Sequence, residues 1–209
     1  MKAAVIYENG GPNVLQYEDV PDPECPDGCV LIDVEAISIE GGDLLARAGS
    51  PPPSAPHIVG YLAAGTIAEI GAGVEGTIGD RVVTVNAAGS HASKRAVPAM
   101  STWPIPDGLD AAAAACLPVA FGTAQECLFT AGNLEAGQAA LIHAGAGGVG
   151  MAAIQLAKHA GATVISTASS DQKLERLKEF GLDHGINYAR ENFVERTREL
   201  TDGRGAALT

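Results

Sequence analysis

The sequence predicts an α/β chain: a strand-rich first part followed by a parallel, doubly wound sheet. Three observations carry that prediction. Residues 1 to about 100 hold short apolar or alternating runs separated by Gly/Pro turns. From about residue 137 strands and helices alternate. Where the first of those strands meets the first of those helices lies a glycine turn, Gly145 to Gly150. The chain has 209 residues, 46% of them hydrophobic and 18% charged, enough to bury for one or two domains. Aromatics are only 4% while glycines number 26, so the core is expected to consist of Ala, Val, Ile and Leu with close backbone approaches.

Taken in order, the runs Lys2–Tyr7, Val30–Ala36, Gly65–Ile70 and Arg81–Asn86 read as strands. Turn clusters punctuate them at Asn9–Pro12, Pro21–Pro23, Gly49–Pro56 and Gly71–Gly79. Ser50–Ser54, with three prolines, reads as a loop because the strand pattern resumes after it. Near residue 110 the texture changes. Asp110 is a natural N-cap for an alanine helix reaching Cys116, which Pro118 interrupts. A second helical run covers Thr123–Ala131. The boundary between a first domain, 1–120, and a second, 121–209, is placed here. Beyond it come a buried strand Ala139–His143, a helix Gly147–Ala160, a strand Ala162–Thr167 and an amphipathic helix Asp171–Phe180 with Leu174 and Leu177 inward. Gly181 stops that helix; a strand Gly185–Asn187 and a helix Phe193–Leu200, closed by Asp202-Gly203, follow.

The net charge of −12 argues against nucleic acid as a partner. It is uneven. Residues 1–120 hold 5 Lys/Arg against 15 Asp/Glu, whereas residues 121–209 hold 8 against 10, making the second part the better host for a polyanion. Cys116 and Cys127 lie in apolar sequence and read as small core residues. Cys25 and Cys29 flank a turn; a local disulfide or half of a metal site is the alternative to free thiols there, but no second pair exists to complete a zinc tetrad, and a reduced, cytoplasmic setting fits. No signal peptide is read at the start. Residues 139–157 lack formal charge over a length that would span a bilayer, but four glycines, a His and a Gln favour a buried strand, turn and helix.

The glycine turn carries the chemistry. Gly145, Gly147 and Gly150 fit G-x-G-x-x-G between a strand and a helix, the context a dinucleotide-binding turn requires. Gly145 is expected to make the tight turn, Gly147 to admit a pyrophosphate and Gly150 to let helix and strand pack closely; the helix N-terminus supplies free N–H groups. The alternative is a turn that serves packing only. An NAD site usually places an acid at the end of the second strand, but here that end reads Ala168-Ser169-Ser170, with Asp171 better placed as a first-turn helix charge. Lys173 either meets a 2′-phosphate or is a solvated helix charge. NADPH is therefore the expected cofactor.

Landmarks along the chain now match a family. They are Met1-Lys2-Ala3 with Gly10-Gly11-Pro12, Asp43 with Arg47 and Gly49, Gly79-Asp80-Arg81-Val82, Pro106–Leu109, Leu117-Pro118 with Gly122-Thr123-Ala124, Ala146–Gly150 and Ile186-Asn187-Tyr188. In their order and spacing the chain resembles the medium-chain dehydrogenase/reductase superfamily, in its zinc-free quinone oxidoreductase (zeta-crystallin-like) branch. The resemblance implies a GroES-like β-barrel catalytic domain followed by a Rossmann cofactor domain. It implies hydride transfer from NADPH to a quinone or another α,β-unsaturated carbonyl. It further implies Thr123 beside the nicotinamide, with Ala146, Gly147, Gly148 and Val149 cradling the pyrophosphate. Ser169, Lys173 and Tyr188 are implied for the 2′-phosphate and adenosine.

Zinc-dependent relatives carry a Cys near position 40 and a His-Glu pair after the next glycine. Here the stretches read Ser38–Asp43 and Gly60-Tyr61-Leu62, so no metal is expected. Where quinone reductases often show Asn-Pro-x-Asp, this chain has Glu40-Gly41-Gly42-Asp43, and Leu45 stands where they have a tyrosine. Glu40 is then an acid, a substrate contact or a solvated loop charge. Tyr61 is either a replacement hydroxyl or a packing residue. Glu40, Asp43, Tyr61 and Thr123 are the candidate catalytic residues. Family members continue for more than a hundred residues beyond this ending, which implies a truncated member whose cofactor domain is a first half with partly uncovered apolar faces. The alternative to an enzyme is a half-length relative that binds a nucleotide or a partner, and a homo-oligomer is open.

Overall fold

The computed structural model describes residues 1–49 and 51–209; Ser50, the first residue of the expected Ser50–Ser54 loop, lies outside the described residues. The chain divides into two compact units, Met1–Pro118 and Val119–Thr209.

The first unit runs β1 (Lys2–Ile6), β2 (Gln16–Asp19), β3 (Cys29–Ser38), α1 (Gly41–Gly49), β4 (His57–Ile58), β5 (Leu62–Ile70), β6 (Arg81–Val85), β7 (Lys94–Pro98), β8 (Thr102–Pro104) and α2 (Ala111–Ala115). Two antiparallel sheets form, ordered β2-β1-β4 and β7-β3-β5-β6-β8. A bridge between Ala3 and Ala92 ties β1 to the segment entering β7. Val30, Ile32, Ile67, Val82 and Val97 make one core cluster, and β-branched residues suit that pleated packing. Ala64, Val83 and Ile105 make another, against which α2 lays Ala114 and Ala115. Asp110 caps α2 as expected, its carboxylate accepting the Ala113 N–H at 2.7 Å.

Five elements of this unit escape sequence patterning. β2 (Gln-Tyr-Glu-Asp) is a largely exposed edge strand with no apolar face, and β4 is two residues long. β7 contains Arg95, which is 2% exposed; burial of a cation breaks the alternation that would mark a strand. β8 is a three-residue edge strand ending in Pro104. α1 opens on two glycines, which disfavour a helix, and is stabilised by a carboxylate described below.

From the first unit α3 (Leu117–Gln125) leads into the second and runs on as a π-helical turn, Glu126–Ala131. Pro118 does not interrupt a helix; it sits in the first turn of α3, where a missing N–H removes no helical bond. Cys116 and Cys127 are exposed rather than buried. The inward positions are taken by Ala114 and Ala115 on α2 and by Ala120, Ala124 and Leu128, four residues apart, along α3 and its π turn.

β9 (Ala139–Ile142), α4 (Gly148–His159), β10 (Thr163–Ala168), α5 (Asp171–Leu177), β11 (His184–Asn187) and α6 (Phe193–Leu200) complete the second unit. The sheet is parallel, ordered β11-β10-β9. Leu208 pairs with Ala140 in parallel on the free side of β9, so the strand order reverses at β9. Val164 and Ala168 face a cluster with Ile154, Ala157, Leu174 and Leu177. Leu141, Ile165 and Ile186 pack on the other face against Leu200 and Ala206. Helices thus cover both faces, and the five residues after Thr163 in β10 are all buried.

Two glycines set the distance between β9 and α4. A Cβ on Gly150 would lie 2.5 Å from the Ala144 carbonyl oxygen and 2.7 Å from Gly145 Cα. A Cβ on Gly145 would overlap the Ser166 hydroxyl. The left-handed residue of the turn is Ala144 (φ 52°), so Gly145 serves packing rather than turn conformation. Gly150→Ala is expected to destabilise the chain by roughly 1–3 kcal/mol, as overpacking does, read as a lower urea midpoint at unchanged m-value.

Candidate functional site

In the second unit, β9 delivers the chain to Ala144 and α4 begins at Gly148 with Gly147 as its N-cap. The N–H groups of the first helical turn have no i−4 partner, and the positive end of the helix dipole lies there. Gly147 and Gly148 are exposed, and a Cβ on Gly148 would meet nothing within 4 Å. The turn is therefore close-packed beneath, at Gly145 and Gly150, and open above, at Gly147 and Gly148. That is the shape a pyrophosphate cradle requires. Ala146 and Val149 are exposed beside it, Val149 at 39%. An apolar crevice of about 510 Å³ continues from the turn along β9, lined by Ala124, Leu128, Ile142, His143, Val149 and Leu208. It lies where the strand order reverses, the usual ligand position in open α/β sheets.

The ends of β10 and β11 form a polar rim. Lys173 Nζ donates to Ser169 Oγ at 3.1 Å, and both residues are exposed. Tyr188, 54% exposed, follows β11 directly, its N–H bonded to the Ala168 carbonyl at 3.2 Å. The fold thus brings Ser169, Lys173 and Tyr188 to one end of the sheet. Asp171 lies in the first turn of α5, capped by the Ser170 side chain, and its carboxylate is occupied by Asn187 and Arg190. Thr123 is exposed on α3. Sequence reading missed His143, whose Nδ1 lies 3.1 Å from Thr167 Oγ1 and whose ring meets Phe193 edge-on at 5.0 Å. Its position at the carboxyl end of a parallel strand was the available signal.

In the first unit the candidate residues converge on Asp43, which is 2% exposed. Its Oδ2 accepts the Glu40 N–H at 2.8 Å, the reach-back of a capping box that starts α1 despite its glycines. Its Oδ1 accepts the Tyr61 N–H at 3.2 Å. Asp43 therefore joins the loop before α1 to the start of β5, with its oxygens turned to backbone. Glu40 is half-buried, and its Oε1 accepts the Ser38 hydroxyl at 2.7 Å. The Tyr61 ring lies against Gly42, where no Cβ would fit. Arg95, missed by sequence reading, binds the other side of the same loop. It donates to the carbonyl oxygens of Tyr61 (2.9 Å) and Ala88 (2.8 Å) and to Thr84 Oγ1 (2.8 Å). Burial pushes its guanidinium down to about 10, against the opposing pull of Asp43. His91 completes the cluster: its buried Nε2 has no hydrogen-bond partner among the described residues and lies 3.8 Å from Asp43 Oδ2. Among the described residues no group of three or more His, Cys, Asp or Glu side chains gathers as a metal site, and no helix is long and apolar enough to cross a membrane.

Comparison with known proteins matches this architecture. Residues 26–153 fit the alcohol dehydrogenase GroES-like domain family, and residues 148–209 fit the zinc-binding dehydrogenase family. The chain is 37% identical to a 2-haloacrylate reductase of Burkholderia over 97% of its own length and 63% of that protein. It is 36% identical to a quinone oxidoreductase of Salmonella typhimurium, over 95% of this chain and 62% of that one. The structure of Escherichia coli quinone oxidoreductase complexed with NADPH superposes with a TM-score of 0.92 at 32% identity, over 98% of this chain and 64% of that one. The chain thus spans less than two thirds of the length of these relatives.

The buried histidine has a pH signature. Burial holds the His91 pKa below its ordinary 6.5, with Arg95 adding to the shift and Asp43 opposing it, so the imidazole is neutral at pH 7 and its approach to Asp43 is not an ion pair. The unfolded chain then binds the proton more readily than the folded one. Stability is expected to fall as pH drops from 6.5 through the folded pKa. A series of urea midpoints against pH should show the decline, and His91→Gln should flatten it, leaving the share due to His57, whose pKa burial also lowers.

Proposed function

The chain belongs to the quinone oxidoreductase branch of the medium-chain dehydrogenase/reductase superfamily, and from that premise we propose that it carries hydride from NADPH to a quinone or another α,β-unsaturated carbonyl without a metal ion. The observation that carries the reading is the turn at Gly145–Gly150: closed by backbone contact beneath, open at Gly147 and Gly148, and flanked by the Ser169–Lys173 pair instead of a free acid. NADPH, when bound, supplies the hydride.

The chain's own residues divide the remaining work. N–H groups at Gly147, Gly148 and Val149, with Ala146 beside them, hold the pyrophosphate by hydrogen bonds and helix dipole. Ser169, Lys173 and Tyr188 hold the 2′-phosphate and adenosine. Thr123 orients the nicotinamide. Asp43 positions Glu40 and Tyr61 through their backbones, while the Tyr61 hydroxyl donates a hydrogen bond to the acceptor's carbonyl oxygen and Glu40, in its protonated carboxylic acid form, supplies the proton that accompanies the hydride. Support for a metal-free reaction comes from Ser38–Asp43 and Gly60–Leu62, which hold neither Cys nor His. Polarisation of the carbonyl then rests on hydrogen bonds and on hydride positioning.

Two experiments test this. NADPH consumption is expected with a panel of simple quinones and enones; tight NADPH binding with no turnover across the panel would favour a nucleotide-binding protein that does not catalyse. Gly148→Val fills the open side of the cradle while its Cβ meets no neighbour. It is expected to raise the NADPH dissociation constant by about tenfold or more, a loss of ~1.4 kcal/mol, without moving the urea midpoint. An unchanged dissociation constant would remove the pyrophosphate from this turn.

A further inference from the structure

The turn that follows β11 is built on Asn187, whose side chain is buried. Its Oδ1 accepts the Ala189 N–H at 3.2 Å, and its backbone carbonyl accepts the Arg190 N–H at 2.9 Å. Its Nδ2 donates to Asp171 Oδ1 at 2.6 Å, while Arg190 Nη1 donates to Asp171 Oδ2 at 2.6 Å. One carboxylate in the first turn of α5 therefore anchors both the base of this turn and the cation it presents. The Arg190 side chain is 72% exposed, and Asp171 is its one side-chain partner among the described residues. The guanidinium has five N–H donors, so most of them remain open to solvent. Lys173 and Ser169 stand on the same helix turn and strand end as Asp171.

We infer that Arg190 is a specificity-determining residue for the nucleotide: by neutralising Asp171 and offering its open donors, it selects a 2′-phosphorylated adenosine over one with a free 2′-hydroxyl. The inference rests on the NADPH reading above and deepens it. A carboxylate beyond the second strand of a dinucleotide fold favours a ribose hydroxyl and repels a phosphate dianion. Asp171 falls just past that position, and its charge is met by Arg190 at hydrogen-bond distance. A guanidinium is suited to bind a carboxylate and a phosphate together, because its donors fan out in one plane. An exposed ion pair adds little to folding stability, so its removal leaves the fold available for measurement.

Fluorescence titration of the full chain with NADPH and with NADH provides the test, comparing wild type, Arg190→Ala and Arg190→Ala/Asp171→Asn, with circular dichroism and melting to confirm folding. Arg190→Ala is expected to weaken NADPH by about tenfold, the scale of one charged hydrogen bond, and to leave NADH unchanged or tighter. Adding Asp171→Asn should recover part of the NADPH affinity, because the uncompensated carboxylate is gone. Loss of both nucleotides in equal measure, or no loss, would show a tether without selectivity and overturn the inference while the NADPH reading stands. A wild-type chain that binds neither nucleotide overturns that reading and this inference with it.

Discussion

The contact between the backbones of Gly145 and Gly150 governs the second unit. Helix α4 can begin immediately over the end of β9 only because neither residue carries a Cβ at the crossing: on Gly150 it would run into the backbone of Ala144 and Gly145, which cannot move aside, and on Gly145 into the Ser166, Ile154 and Leu177 side chains. That approach lets α4 bury Ala153, Ile154 and Ala157. It also leaves the first N–H groups of α4 unpaired and facing the crevice where the strand order reverses at β9. Packing and binding thus have one cause: the close crossing that completes the core also exposes the helix terminus.

The first unit solves a comparable problem with charge. The segments Ile39–Glu40, Gly60–Tyr61 and Asn86–His91 carry carbonyl and N–H groups outside the named strands and helices, and buried backbone groups need partners. Arg95 supplies donors to the carbonyls and Asp43 supplies acceptors to the N–H groups. Tyr61 is held from both sides, its carbonyl by Arg95 and its N–H by Asp43. Either charge alone would be costly to bury, and each lowers the cost of the other. His91 stands beside them, its Nε2 without a hydrogen-bond partner among the described residues, which makes this cluster a pH-sensitive part of the unit.

How much of this was legible depended on whether the signal was local. The strand–turn–helix at Ala139–His159 announced itself through glycine spacing, because that turn is made by neighbours in sequence. The capping residue Asp110 is local in the same way. By contrast, Asp43 reads as one acid in a loop; its partners include Tyr61, eighteen residues away. Arg95 hides the strand it belongs to, because a buried cation looks like a solvent-facing one until its acceptors at Gly60, Tyr61, Ala88 and Thr84 are in place. Cys116 and Cys127 were misjudged for the converse reason: apolar neighbours in sequence do not say which side of a helix turns inward.

The amino-acid sequence by itself determined the fold class, the dinucleotide turn and the absence of an acid at the end of β10, because backbone conformation, strand period and glycine geometry are properties of adjacent residues. Tertiary structure decided the rest. It assigned Gly145 to packing and the left-handed turn to Ala144. It turned Asp43 toward backbone N–H groups and joined Asp171 to Arg190 across nineteen residues. Those outcomes depend on which groups meet after the chain crosses itself, and hydrogen bonds between distant side chains leave no periodic trace in the sequence.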